Sequence, residues 1–119
     1  MDVKKIVENV KRQQRVERER IRTRVEEARR EVLRLKEDFL SSDPGLAKMV
    51  LFGSLAEDRV NATDFDIDLA VDCRHYLRLL AIALSSPFRV DLIDLNNVRE
   101  NIKQEIDCYG KVVYEKSQG

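Results

Sequence analysis

The first forty residues of the chain predict one long helix. Residues 2–40 contain no Gly or Pro and are rich in Arg, Glu, Lys and Leu, which favour helices. From residue 21 onward, apolar side chains recur every three or four residues, which places them on one helix face. These side chains are Ile21, Val25, Ala28, Val32, Leu35 and Phe39. We therefore expect residues 21–40 to pack on a domain that follows in the chain.

The first twenty residues have a different pattern. Residues 11–20 contain one apolar side chain, Val16, and a shorter apolar cluster comprises Val3, Ile6, Val7 and Val10. We expect this segment to project from the domain. It would then be an arm for homodimer formation or partner docking, or a solvated helix of mixed charge, and the pattern leaves both open. The predicted division is a charged N-terminal helix, residues 1–40, and a domain, residues 41–119.

Turn signals divide residues 41–119 into short elements. The sequence SSDPG at residues 41–45 ends the long helix. Strands are predicted at residues 47–52, 65–71, 89–95 and 111–115, and helices at residues 74–84 and 97–109. The second of these helices would start with a capping box formed by Asn97 and Glu100. The element order predicts an α/β or α+β domain in which helices cover a small sheet.

Composition excludes several classes of protein. The 22 basic and 22 acidic residues balance, which argues against nucleic acid as a partner. Residues 1–40 hold 13 Lys/Arg and 9 Asp/Glu, whereas residues 41–119 hold 9 and 13, so the two parts differ in charge. No apolar run is long enough to cross a bilayer, and the two cysteines form no disulfide framework. We therefore expect a cytoplasmic protein without a membrane partner.

The segment TDFDIDL, residues 63–69, places three carboxylates at alternate positions. In a strand, Ile67 and Leu69 would face the core while Asp66 and Asp68 would face outward. Asp is disfavoured in strands, and carboxylates on the same face, about 7 Å apart, repel each other. No Lys or Arg lies between residues 61 and 73 to relieve this repulsion. A calcium-binding EF-hand loop is excluded, because its sixth position holds Leu69 instead of Gly.

A divalent cation accounts for the acidic strand better than a solvated face does. Magnesium usually binds one or two carboxylates together with substrate phosphates. Asp66 and Asp68 supply two such ligands, and the next strand supplies Asp91, with Asp94 as a second choice. Upstream, Gly53–Ser54 follows a strand, where Gly permits close approach and backbone N–H groups can hold phosphate oxygens. This arrangement is typical of phosphoryl transfer.

The order of these residues resembles the DNA polymerase β-type nucleotidyltransferase superfamily. Within it, the chain is similar to the minimal nucleotidyltransferases of bacteria and archaea, from about residue 46 to residue 115. The resemblance implies a small mixed sheet flanked by helices. It implies that Asp66 and Asp68 hold two magnesium ions, and that Asp91 binds one metal and helps deprotonate the acceptor. It also implies that Gly53 and Ser54 contact the nucleoside triphosphate.

The resemblance further implies an activity and a partner. Family members transfer a nucleoside monophosphate, here AMP from ATP, to an acceptor and release pyrophosphate. Small members often act as the antitoxin that modifies a HEPN-domain toxin. Two alternatives come from other functional classes: a catalytically degenerate antitoxin or scaffold that acts by binding its partner, and a helical oligomerisation module.

The chain departs from the family pattern beside the site. Family members usually have Arg after Gly-Ser, a second Gly a few residues later, and Ser or Thr just before the first Asp. Here these places hold Leu55, Glu57 with Asp58, and Phe65. The two carboxylates would repel a triphosphate, and Arg59 is the candidate for the missing cation.

Overall fold

A computed structural model describes residues 2–117. These described residues form four helices and four strands, with a short turn of 3-10 helix after the third strand. In chain order they are α1 (Val3–Ser42), β1 (Lys48–Phe52), α2 (Gly53–Ala56), β2 (Ile67–Asp72), α3 (Tyr76–Leu84), β3 (Val90–Asp94), α4 (Glu100–Tyr109) and β4 (Lys111–Glu115). The predicted order of elements is confirmed.

The start of α4 differs from the prediction. Asn97 lies in the 3-10 turn, and α4 begins at Glu100 after Arg99, without a side-chain cap. The predicted capping box is therefore wrong. The physical reason lies just upstream, where the side chain of Asp94 accepts a hydrogen bond from the backbone N–H of Asn96. This local turn follows β3, and the helix starts only after it.

The four strands form one mixed sheet in the order β3-β2-β1-β4. Strand β1 is antiparallel to both β2 and β4, whereas β2 and β3 are parallel. Parallel neighbours need a crossover connection, and α3 provides it. The small mixed sheet flanked by helices is confirmed.

Each face of the sheet is covered by helices. On the face that we call the α1 face, alternate residues of β2 pack in a core with α1 and α3; these are Ile67, Leu69 and Val71. The opposite α4 face carries a smaller apolar cluster of Val50, Phe52, Ala70 and Ile106. The acidic residues of β2 alternate with the α1-face residues and therefore lie on the α4 face. That face is partly covered by α4 and is not simply solvated.

Helix α1 extends well beyond the sheet. Its 40 residues rise about 60 Å, and the molecule is 67 Å long. Val25 is the first α1 residue that packs against the core, followed by Ala28, Val32, Leu35 and Phe39. Every residue from 2 to 20 is exposed, as expected for a segment that projects from the domain. Within the described part of the chain, no helix is both long and apolar enough to cross a membrane.

The carboxylate of Asp43 ties the end of α1 to the sheet. Its side chain is buried and accepts hydrogen bonds from the backbone N–H groups of Gly45, Arg74 and His75. Burial alone would raise the pKa of Asp43, but the three donors outweigh it and the pKa is lowered. The two hydrogen bonds from residues 74 and 75 fix the connection between β2 and α3.

We expect Asp43→Ala to lower the free energy of unfolding by about 2–4 kcal/mol, because buried N–H groups lose their acceptor. The exposed Asp107→Ala serves as the control and should change it little. Because the folded pKa of Asp43 is lowered, its contribution is present above the unfolded pKa, about 4, and is lost as the pH falls through the folded value. Urea unfolding at several pH values measures both effects. Equal losses in the two variants would contradict this role.

Candidate active site

Two of the three predicted carboxylates lie on neighbouring strands. Asp68 and Asp91 are register partners in the parallel β2–β3 ladder, and both lie on the α4 face. Asp66 comes immediately before β2, two residues from Asp68. Since adjacent strands are about 4.8 Å apart, the backbone alone places the Asp68 and Asp91 side chains side by side.

Gly53 lies against the carboxylate of Asp68. Strand β1 ends opposite Asp68, where Phe52 is its antiparallel register partner. The chain then turns at Gly53 with φ of 75°, a conformation that L side chains rarely adopt. A Cβ at this position would lie 2.2 Å from Oδ2 of Asp68. Glycine is therefore required both by the backbone and by the carboxylate, and Ser54 follows in the first turn of α2.

The environment of Asp68 disfavours its charged form. Burial, followed by the negative charges of Asp91, Asp66 and Glu105, raises the pKa of Asp68 to about 6. Among the described residues, no Lys or Arg forms an ion pair with Asp68. A bound cation would remove this destabilisation.

Arg89, which the sequence reasoning missed, supplies a cation to the other two carboxylates of the TDFDIDL segment. Its Nε lies 3.1 Å from Oδ1 of Asp66, and its guanidinium also donates to Asp64. Asp64 lies in the loop before β2, as expected for a turn residue. A signal was present, because Arg89 precedes Asp91 by two residues and so shares its strand face. Although no Lys or Arg lies near these aspartates in the sequence, Arg89 pairs with Asp64 and Asp66 in the fold. Of the three aspartates of this segment, only Asp68 has no arginine or lysine partner among the described residues.

Three of the residues that depart from the family pattern follow Gly53, and their contacts are defined by the fold. Leu55 is buried in the core and cannot contact a nucleotide. Glu57 pairs with Arg59 at 3.0 Å, and Asp58 pairs with Arg29 of α1. Both carboxylates are therefore partly neutralised by arginines, which weakens the repulsion expected toward a triphosphate.

The acidic residues fit magnesium in their chemistry, since carboxylate oxygens are its preferred protein ligands. In the conformation described for residues 2–117, no three His, Cys, Asp or Glu side chains are gathered into a set that could hold one ion. Asp66 contacts Arg89 in this conformation. Binding of one ion by Asp66, Asp68 and Asp91 would therefore require their side chains to come closer together.

An open cleft of about 520 Å³ borders two of the carboxylates, Asp66 and Asp91. Its other wall is the end of α3 and the loop into β3, with Leu84, Pro87 and Phe88. The loop is fixed to α1, because Ser86 donates to Glu31 and Arg24 stacks on Phe88. The cleft thus combines an apolar wall with a charged edge, as ligand sites often do.

We expect Gly53→Ala to displace Asp68 or the β1–α2 turn, because the added Cβ overlaps the carboxylate. It should lower the free energy of unfolding by about 1–3 kcal/mol. Gly45→Ala is the matched control, since its Cβ would meet only the flexible side chain of Arg74. Thermal unfolding and amide NMR spectra of both variants provide the measurement. Undisturbed β2 resonances in Gly53→Ala would contradict the close packing.

We expect Asp68→Asn to stabilise the metal-free protein at pH 7.5 by about 1–2 kcal/mol, after allowance for solvent screening. Because the folded pKa of Asp68 is raised, the wild type loses stability as the pH rises from the unfolded pKa, about 4, to about 6. The difference between the proteins should therefore disappear below pH 4. Urea unfolding across this range measures it, with Asp107→Asn as an exposed control. A variant less stable than the wild type at pH 7.5 would contradict it.

Comparisons with known proteins identify a family and similar folds. Residues 36–119 match the family model described as polymerase beta, nucleotidyltransferase. No curated protein shows a significant match. A chain in a crystal structure of a toxin–antitoxin with AMP-PNP is 24% identical, with a TM-score of 0.57 over 70% of this chain and 73% of that chain.

Two further structures of toxin–antitoxin pairs are similar. A chain in the MntA–HepT structure is 23% identical, with a TM-score of 0.50 over 73% of this chain and 69% of that one. A chain in the structure of a tri-AMPylated Shewanella oneidensis HEPN toxin with its MNT antitoxin is 24% identical, with the same TM-score and coverages. At these identities the likeness concerns the fold. Because the family model spans more than half of the sequence, the chain belongs to the polymerase beta nucleotidyltransferase family.

Proposed function

We propose that this protein is a magnesium-dependent nucleotidyltransferase that transfers AMP from ATP to a hydroxyl group of a partner protein. The observation that carries the proposal is the pairing of Asp68 with Asp91 in register, beside a glycine that leaves room only for the Asp68 carboxylate. Without a bound cation, these neighbouring carboxylates lower the stability of the fold. Such a loss of stability is expected at a functional site.

Each residue of the site has a proposed role. Asp66 and Asp68 would hold two magnesium ions, and Asp91 would bind one of them. When bound, the ions would stabilise negative charge on the phosphates and on the entering and leaving oxygens. Asp91 would also accept the proton of the acceptor hydroxyl, whose oxygen forms a bond to the α-phosphorus as pyrophosphate leaves. Gly53 and Ser54 would contact the triphosphate.

The proposed acceptor is a HEPN-domain toxin, for which this protein would be the antitoxin. Support comes from the similar structures, which include a toxin–antitoxin with AMP-PNP and a tri-AMPylated HEPN toxin with an MNT antitoxin. Transfer of AMP to a toxin would leave an added phosphodiester and its negative charge on the modified side chain.

A second candidate function is that of a degenerate antitoxin or scaffold that acts by binding alone. The burial of Leu55 favours it, because the family's arginine at that position is replaced by a core residue. The contact of Asp66 with Arg89 favours this second function as well. With Asp66 in that contact, no three acidic side chains of the described residues are gathered to bind one metal ion.

We expect magnesium and ATP to support transfer of labelled AMP to a HEPN-domain partner encoded beside the gene for this chain. Asp66→Asn, Asp68→Asn and Asp91→Asn should each reduce transfer about 100-fold or more, because each removes a proposed ligand. Asp94→Asn is the matched control, since Asp94 lies on the same strand as Asp91 but points to the opposite face.

Calorimetric titration of the protein with ATP, with and without magnesium, separates the two candidate functions. Metal-dependent binding that is lost in Asp68→Asn supports the enzyme. Absence of metal-dependent nucleotide binding, together with neutralisation of the toxin by all three variants, would establish the degenerate antitoxin instead.

A further inference from the structure

The N-terminal part of α1 carries apolar side chains that are exposed to solvent. We call residues 2–20 the arm and three of its apolar residues, Val3, Val7 and Val10, the seam. These three side chains are 69%, 45% and 45% exposed. They lie on the same face of α1 as the residues that pack on the core from Val25 onward, and the polar Gln14 and Glu17 separate the two apolar segments. The arm therefore carries its own short apolar segment beyond the edge of the domain.

Basic residues border the seam at a regular interval. Lys4, Lys11 and Arg18 follow one another every seven residues, so they form one column beside the seam. The arm as a whole holds 7 Lys/Arg and 4 Asp/Glu. Among the described residues, the ion pairs of α1 begin at Arg24, so this column makes none within the chain. The charges are available to another molecule.

The charge pattern disfavours pairing between two copies of the arm. Flanking positions decide which helices associate, and opposite charges are needed across the contact. Two arms side by side would bring Lys4, Lys11 and Arg18 against a second surface with excess positive charge. A helix with an apolar stripe and flanking Asp or Glu residues matches both the seam and the column.

A separate groove lies on another face of α1. It has a volume of about 550 Å³ and is bordered by Arg20, Thr23 and, from the loop before β2, Thr63. Lys5 and Arg12 lie on this face of the helix and not beside the seam. The groove and the seam are therefore two different surfaces, and only the seam is bordered by the column of Lys4, Lys11 and Arg18.

We propose that the arm docks an acidic amphipathic helix of a partner protein, with the seam covered by apolar residues and the Lys4, Lys11 and Arg18 column paired with carboxylates. This proposal rests on the proposed function only in taking the docked protein to be the acceptor of AMP. Docking itself needs neither metal nor nucleotide.

The test uses the full chain and two labelled 28-residue synthetic peptides with leucine at positions a and d of each heptad. One peptide carries glutamate at the flanking e and g positions, and the other carries lysine there. Fluorescence anisotropy without nucleotide should show about tenfold tighter binding of the glutamate peptide. Lys11→Glu with Arg18→Glu should reverse this preference. Asp68→Asn should bind like the wild type, so loss of catalysis does not affect the result.

The matched control is Lys5→Glu with Arg12→Glu, which changes the charge equally on the opposite face of the arm. This variant should keep the preference for the glutamate peptide. Circular dichroism verifies that both double variants remain helical. Equal effects of the two double variants, or equal binding of the two peptides, would overturn the proposal. It would also be overturned by a dimer in sedimentation that dissociates when residues 2–20 are deleted, or by RNA binding through the Lys11 and Arg18 pair.

Discussion

The register between β2 and β3 is the constraint on which the candidate site depends. It sets Asp68 opposite Asp91, and a one-residue slip of either strand would turn that strand's apolar residues to the wrong face. The repulsion between the two carboxylates therefore follows from the same strand pairing that positions the apolar core residues of β2 and β3. Burial on the α4 face and the glycine at the end of β1 prevent Asp68 from relaxing away from its neighbours.

Other parts of the molecule maintain that register. The parallel pairing depends on the crossover through α3, whose start is fixed by Asp43 at the end of α1. The loop after α3 is held to α1 through the contact of Ser86 with Glu31. The long helix thus supports the strand that carries Asp91, while its free N-terminal part remains available for a partner. Structural support and proposed docking use the same helix face.

Much of this arrangement could be predicted from the sequence because its signals are local. The Gly- and Pro-free helix and the alternation of Ile67 and Leu69 with aspartates determined the elements and their faces. Long-range contacts could not be predicted in the same way. The pairing of Arg89 with Asp66 joins different elements, and the turn at Asp94 replaced the capping box through one hydrogen bond. The ligand roles of the three aspartates remain predictions.

The most direct test of the account is a crystal structure with manganese and a non-hydrolysable ATP analogue, with anomalous scattering used to locate the metal. The account predicts anomalous peaks bounded by Asp66, Asp68 and Asp91, with the three carboxylates closer together than in the metal-free protein and the triphosphate beside Gly53. Bound nucleotide without metal at these carboxylates, or metal bound only elsewhere, would contradict it.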